Sequence, residues 1–207
     1  MKRITLVFCL LLFVSGCATL IGSVPFHYVP SLNTGQQNNA SLGIEKFIDS
    51  RPVEDKKATE SISDIDEKVT SKFLEDFRTS RMFAVVDFPV RRDKDDFIFR
   101  GEIKRFYWKA TYNPMRFIPG VNLLLLLGIP VYNIDAVAEF KIQLIDGNTG
   151  VILVEYDKIA TKTETVSLYS GKSGEMGAEL AEAFRDVAKQ IKDGITSDIR
   201  NGKIKLP

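Results

Sequence analysis

Apolar and polar positions alternate most cleanly between Ile134 and Asp146. Ile134, Ala136, Ala138, Phe140, Ile142 and Leu144 share one parity, and Asp135, Val137, Glu139, Lys141 and Gln143 share the other. One dry face and one mostly wet face predict a strand of an antiparallel sheet. Asp146-Gly147-Asn148-Thr149-Gly150 reads as a hairpin turn. Val151 to Thr165 then returns as the partner strand. Its start, Val151 to Val154, is wholly apolar, and its Thr- and Lys-rich later half is expected to project from the sheet. Phe97 to Tyr112 predicts a long strand whose parity changes: Phe97, Phe99 and Ile103 lie on one face, Phe106, Trp108 and Ala110 on the other. Either a bulge near Lys104 or Arg105 corrects the slip, or the far half buries its other face.

A spacing of three and four marks two helices. Ile62, Ile65, Val69, Phe73 and Phe77 form one stripe within Ile62 to Arg81. Ser61 or Ser63 can cap its start, and Asp64, Asp66 and Glu67 suit the positive end of its dipole. Met176, Leu180, Phe184, Val187, Ile191 and Ile195 form the other stripe, within Ser173 to about Arg200. Gly194 inside it costs about 1 kcal/mol relative to alanine and marks a kink or an end. Ser41 to Asp49 predicts the first strand, with Leu42, Ile44 and Ile48 on one face and Phe47 on the other; Ser50-Arg51-Pro52 ends it. Val53 to Ser61 reads as a charged loop, Phe83 to Phe88 as a short strand stopped by Pro89, Arg91 to Asp96 as a charged turn and Asn201 to Pro207 as a tail. The order predicts an α+β two-layer sandwich: a mostly antiparallel mixed sheet of about five strands, two helices on one face, the other face open.

Two segments fit neither period. In the first, Lys2 and Arg3 precede an apolar run from Ile4 to Val14, and Ser15-Gly16-Cys17 follows. This is the layout of a secretory signal peptide over residues 1–16, and the run is too short to span a bilayer as a helix. Cysteine after Ser-Gly resembles the lipobox of bacterial lipoproteins. The resemblance implies cleavage before Cys17, a thioether-linked diacylglycerol on it and an N-acyl chain on the new terminus. Two or more chains give stable anchoring, each buried methylene adding about 0.8 kcal/mol. Ala18, where enteric-type lipoproteins kept at the inner membrane resemble one another in having aspartate, implies the outer membrane, facing the periplasm. Residues 17–40 then read as a lipidated tether, holding Pro25, Pro30, Gly35 and Gln36-Gln37-Asn38-Asn39. Residues 41–207 read as one periplasmic domain.

The second segment runs from Phe117 to Val131 and holds five consecutive leucines, Leu123, Leu124, Leu125, Leu126 and Leu127, with Val121 and Ile129 beside them. Pro119 and Pro130 bracket a stretch too short to cross a bilayer as one helix. Three readings stay open: a buried crossover, a partner-docking or oligomer surface, or a membrane-dipping loop flanked by Tyr112, Arg116 and Tyr132.

Composition narrows the chemistry. The 28 basic and 27 acidic residues leave a formal charge of +1, without the basic excess of a nucleic-acid binder. Cys9 falls within the signal, so Cys17 is the one cysteine expected in the mature chain. His27, the single histidine, lies in the tether, so the domain has no His for a Ser-His-Asp or Cys-His arrangement or for a usual zinc site. Gly171-Lys172-Ser173-Gly174 is similar to a P-loop ending only superficially, because the upstream glycine and strand spacing differ. The acidic pairs Asp64/Asp66 and Asp95/Asp96 are explained by capping and solvation. No metal, no cofactor beyond the lipid, and no enzymatic activity are expected.

Short pieces carry a family resemblance. Leu42-Gly43-Ile44 through Phe47-Ile48-Asp49-Ser50-Arg51, then Ser80-Arg81-Met82-Phe83-Ala84-Val85-Val86-Asp87, Asp96 to Ile103 and Asp146 to Val154 resemble the TolB amino-terminal and CsgG-like periplasmic domains. The resemblance implies a noncatalytic part of an outer-membrane transport, secretion or assembly system that docks an envelope partner through the open sheet face or the leucine segment. It also admits a pore or ring subunit that would be a homo-oligomer, although the leucine run does not alternate as a pore strand does. A carrier of lipid or another hydrophobic ligand is the third function.

Overall fold

A computed structural model describes residues 19–20, 38–59, 62–113, 130–167 and 177–207 of the 207-residue chain, Thr19, Leu20 and Val131 through their backbone alone. The strands are β1 (Thr19–Leu20), β2 (Ser41–Ile44), β3 (Ile48–Asp49), β4 (Val85–Asp87), β5 (Phe97–Tyr112), β6 (Pro130–Asp146) and β7 (Ile152–Ser167). The helices are α1 (Val53–Ala58), α2 (Ile65–Ser80) and α3 (Ala178–Arg200). One mixed sheet runs β4-β2-β5-β6-β7, and β1 and β3 add to the free edge of β5. The pairs β5–β6, β6–β7 and β1–β5 are antiparallel; β2–β4, β2–β5 and β3–β5 are parallel. The molecule is the expected α+β sandwich.

The inward residues of β6 meet the stripes of α2 and α3 in one core. Phe73 stands at its centre, with ring centroids 5.0 Å from Phe47, 4.9 Å from Phe184, and 5.6 Å from both Phe99 and Phe140. The parity change in β5 is a bulge: the ladder skips from Ile103↔Phe140 to Arg105↔Glu139, leaving Lys104 unmatched. Phe97, Phe99, Ile103, Phe106, Trp108 and Ala110 therefore all enter the same core.

Five local expectations are corrected. The first strand breaks at residues 45–47, so Phe47 turns into the core and Ile48 faces out at 58 % exposure. The Phe47 N–H donates to Thr70 Oγ1 of α2 at 3.0 Å, and its ring lies over Gly101, where a Cβ would enter the ring. Residues 53–58 are a helix; Pro52 O accepts from the Lys56 N–H, and the buried Asp55 accepts from Arg105 Nε at 3.2 Å. Neither Ser61 nor Ser63 stands at the start of α2. Asp64 does, at φ 53°, and its side chain makes no capping bond. The later half of β7 stays paired with β6 to Ser167. Its Lys162 meets Asp186 of α3 at 2.6 Å, so an ion pair joins the packing of Ala160 and Val166 on that strand's inner side. Gly194 does not end α3; a Cβ there would come within 2.9 Å of the Tyr156 ring, whose hydroxyl donates to Asp198 at 2.8 Å.

The free edge of β5 beyond β3 is covered piecewise. Arg51 is buried, holds both oxygens of Asp49 at 2.8 and 2.9 Å, and donates to Thr59 Oγ1 at 2.6 Å and the Phe106 carbonyl at 3.1 Å. That last bond occupies an edge carbonyl that no described strand reaches. Farther along, β1 pairs with Ala110 and Thr111.

Candidate functional site

The far end of the long strands gathers the features that packing leaves unexplained. Thr19 pairs with Thr111 and Leu20 with Ala110, in antiparallel register, so the chain before Thr19 leads toward the Tyr112 end of β5. The connection from β5 to β6 starts at the same end, and Pro130↔Ser167 brings the end of β7 there too. The start of the chain, the 114–129 connection and the β7–α3 connection thus leave from one end of the sheet.

The base of that end is built of amphipathic aromatics. The Tyr112 and Tyr132 rings meet edge-to-face, 6.2 Å apart, and burial raises the Tyr132 hydroxyl above its usual pKa. Asn113 Nδ2 donates to the Pro130 carbonyl at 3.1 Å and ties the two strand ends together. Trp108, Val166 and Leu180 are buried beneath, and Trp108 Nε1 has no hydrogen-bond partner among the described residues. Glu179, in the first turn of α3, is buried and takes the Gly177 N–H at 3.2 Å. Burial, with the Glu164 carboxyl hydrogen-bonded beside it, raises its pKa.

The open face differs in kind. Glu45 accepts from Arg100 at 2.6 Å, and that bond chiefly holds its carboxyl below the usual value. Glu155 takes Lys141 at 3.1 Å and Gln143 at 2.9 Å, and Thr163 donates to Asp135 at 3.0 Å. A shallow depression of about 210 Å³ lies among Ile48, Arg100, Gly101, Glu102, Lys141 and Gln143. Its charged lining is unlike a pocket for an apolar ligand.

The residues expected to carry function, Cys17, Val121, Leu123, Leu124, Leu125, Leu126, Leu127 and Ile129, lie outside the described residues. The register brings the described residues next to those segments, Thr19, Tyr112 and Pro130, to one end of the sheet. Of the acidic pairs, Asp66 meets Lys46 at 2.9 Å, and Asp96 accepts from the Ser41 N–H at 2.7 Å. Asp95 is buried rather than solvated. Sequence reasoning passed over β1, for which Thr19-Leu20-Ile21 was a signal too short to show a period. It also passed over Glu164–Glu179, whose partners lie on separate elements. Among the described residues no group of three His, Cys, Asp or Glu is placed to hold a metal, and no helix is long and apolar enough to cross a membrane.

No family model and no curated protein matches the chain. Solved structures with a similar course include rare lipoprotein B from Shewanella oneidensis, at 13% identity and TM-score 0.43 over 79% of this chain and 99% of that one. A minor lipoprotein from Acinetobacter baumannii matches at 10% identity and TM-score 0.41 over 79% and 95%. A PelC dodecamer from Paraburkholderia phytofirmans matches at 12% identity and TM-score 0.40 over 78% and 92%. Likeness this loose leaves the chain's role to be argued from its own residues.

Proposed function

We propose that this chain is a lipid-anchored, noncatalytic protein of the bacterial envelope, held by Cys17 on the periplasmic face of the outer membrane. The loop end of its sheet faces the bilayer. Its partner is a protein of a transport, secretion or assembly system, engaged away from the membrane. The observation that carries the reading is the β1–β5 register. Cys17 stands two residues before Thr19, and Thr19 lies beside Thr111. An acyl chain on Cys17 and the apolar run of residues 117–131 would therefore meet the same surface. The Tyr112–Tyr132 pair at the loop's base suits the water–lipid boundary, where aromatic side chains with polar tips are enriched. The kinship with TolB amino-terminal and CsgG-like domains rests on the short motifs alone.

Fractionation of cells expressing the full chain tests this. Cys17→Ala is expected to release most of the protein from membranes. Leu125→Asp in that background is expected to remove the remainder while the protein still unfolds cooperatively in urea. Membrane retention of Cys17→Ala, with function intact, would overturn the anchoring. A Leu125→Asp protein that fails to fold would make the leucine run part of the core. Crosslinking in native membranes tests the docking role, which recovery of monomer alone would contradict.

A further inference from the structure

The outer edge of β7 is the longest unpaired edge among the described strands. β7 pairs with β6 from Ser167↔Pro130 to Ile152↔Ile145, and no described strand lies on its other side. The opposite border of the sheet, β4, has only three residues. Every second residue of such an edge turns its N–H and C=O outward, a template for another strand. We propose that β7 pairs antiparallel with β7 of a second copy of this chain, about a two-fold axis through Thr161. The two sheets then become one.

The occupant and the register follow from charge. Tyr156, Lys158, Ala160, Lys162, Glu164 and Val166 lie on the helix side of β7, opposite Ile142, Phe140, Ala138, Ala136, Ile134 and Tyr132 of β6. With Thr161 on the axis, Lys158 stands opposite Glu164 of the second copy, and two-fold symmetry makes that pair twice. Tyr156 meets Val166, the exposed Ile159 meets Thr163, and the overlap runs from Glu155 to Ser167. Lys158 makes no salt bridge among the described residues, whereas Lys162 is already held by Asp186. Moving the axis to Ala160 sets Lys158 against Lys162, and moving it to Lys162 sets that lysine against itself. Like charges directly opposite are destabilising. In either register Glu164 keeps its hydrogen bond with Glu179; an axis at Thr163 would pair it with Lys162, the lysine bound to Asp186, and shortens the overlap to Ile159–Ser167. The pairing is independent of any lipid on Cys17.

The test uses the full chain in native membranes and in mild detergent. Directly opposed residues of antiparallel strands have Cα atoms about 4.5–5.5 Å apart, within disulfide range. Thr161→Cys is expected to give a covalent dimer on mild oxidation, absent from the parent chain oxidised alongside and much weaker with Thr163→Cys. Lys158→Glu should lower the Thr161→Cys dimer yield roughly fivefold, and Lys158→Glu combined with Glu164→Lys should restore it. A Thr161→Cys chain that stays monomeric overturns the proposal. So does stronger linkage through Thr163→Cys, or a dimer yield indifferent to Lys158→Glu.

Discussion

The two faces of the sheet use alternate residues of the same strands and hold the molecule together by different means. The helix-covered face is a cluster of aromatic rings: Phe99, Phe140 and Phe184 are wholly buried around Phe73. The open face is a lattice of half-exposed ions and amides, Glu45 with Arg100 and Glu155 with Lys141 and Gln143. Exposed ion pairs contribute little, whereas large buried side chains contribute several kcal/mol each. The larger share of stability therefore resides on one face, although Ile98, Tyr107, Val137 and Ile145 are buried on the other. On the other, the ions are satisfied by one another and the exposed apolar residues Ile48, Val85 and Ile159 stand on the border strands, so interaction falls to the edges and the loop end.

Phe73→Ala gives the largest expected effect on this contrast, a loss of about 3–5 kcal/mol in urea unfolding of the full chain. A loss below 1 kcal/mol would mean the aromatic cluster is not the stabilising centre. Asp76→Ala comes next. Asp76 and Lys192 pair at 2.7 Å between α2 and α3, exposed by 0 % and 2 %. Removing the carboxylate leaves a buried ammonium without that counter-charge, at a cost of about 3 kcal/mol. Asp76→Leu with Lys192→Met should be more stable than the single variant, which urea midpoints will report. Gly101→Ala forces a methyl group into the Phe47 ring. We expect a loss of about 1–3 kcal/mol, largely relieved by Phe47→Leu in the same chain.

The smallest effects separate the faces by sign. Glu45 has a lowered folded-state pKa. Its contribution is present above the ordinary value of 4.5 and is lost as pH falls through the lower folded value. Glu45→Gln should therefore cost about 0.2–1 kcal/mol at pH 7 and nothing in strong acid. Glu179 has a raised one, so its contribution is full below 4.5 and disappears as pH rises through the folded value. Glu179→Gln should accordingly be more stable than the parent at pH 7, with the difference closing toward acid. Parallel pH–stability curves for the two variants would refute the contrast.

The stripes of α2 and α3, the alternation of β6 and the slip in β5 were legible because each repeats a period over several turns or residue pairs. What escaped was set by contacts distant in sequence. α1 has one apolar residue besides Ala58, Val53, and that one is exposed; its position depends on Arg51 and on Asp55 meeting Arg105. Phe47 displaces Ile48 from the core because Gly101, far along the chain, leaves room for a ring. The charged later half of β7 stays in the sheet because Asp186 answers Lys162. Asp76 and Lys192 sit at the margins of otherwise apolar stripes, where each alone reads as solvent-facing. Of the candidate site, the apolar residues were legible from composition; that the described strands leading to them end at one border of the sheet required the register of a two-residue strand.

The bulge in β5 bears on which changes of chain length the fold survives. Ile103 and Arg105 are matched to neighbouring residues of β6, and Lys104 is matched to none. Deleting Lys104 would leave every other side chain of β5 on its present face and the ladder continuous. Deleting a residue within Phe99–Glu102 or Phe106–Ala110 would turn part of the strand inside out, exchanging buried apolar side chains for ions. Among descendants of this chain, a one-residue gap in β5 should therefore settle at Lys104 or Arg105.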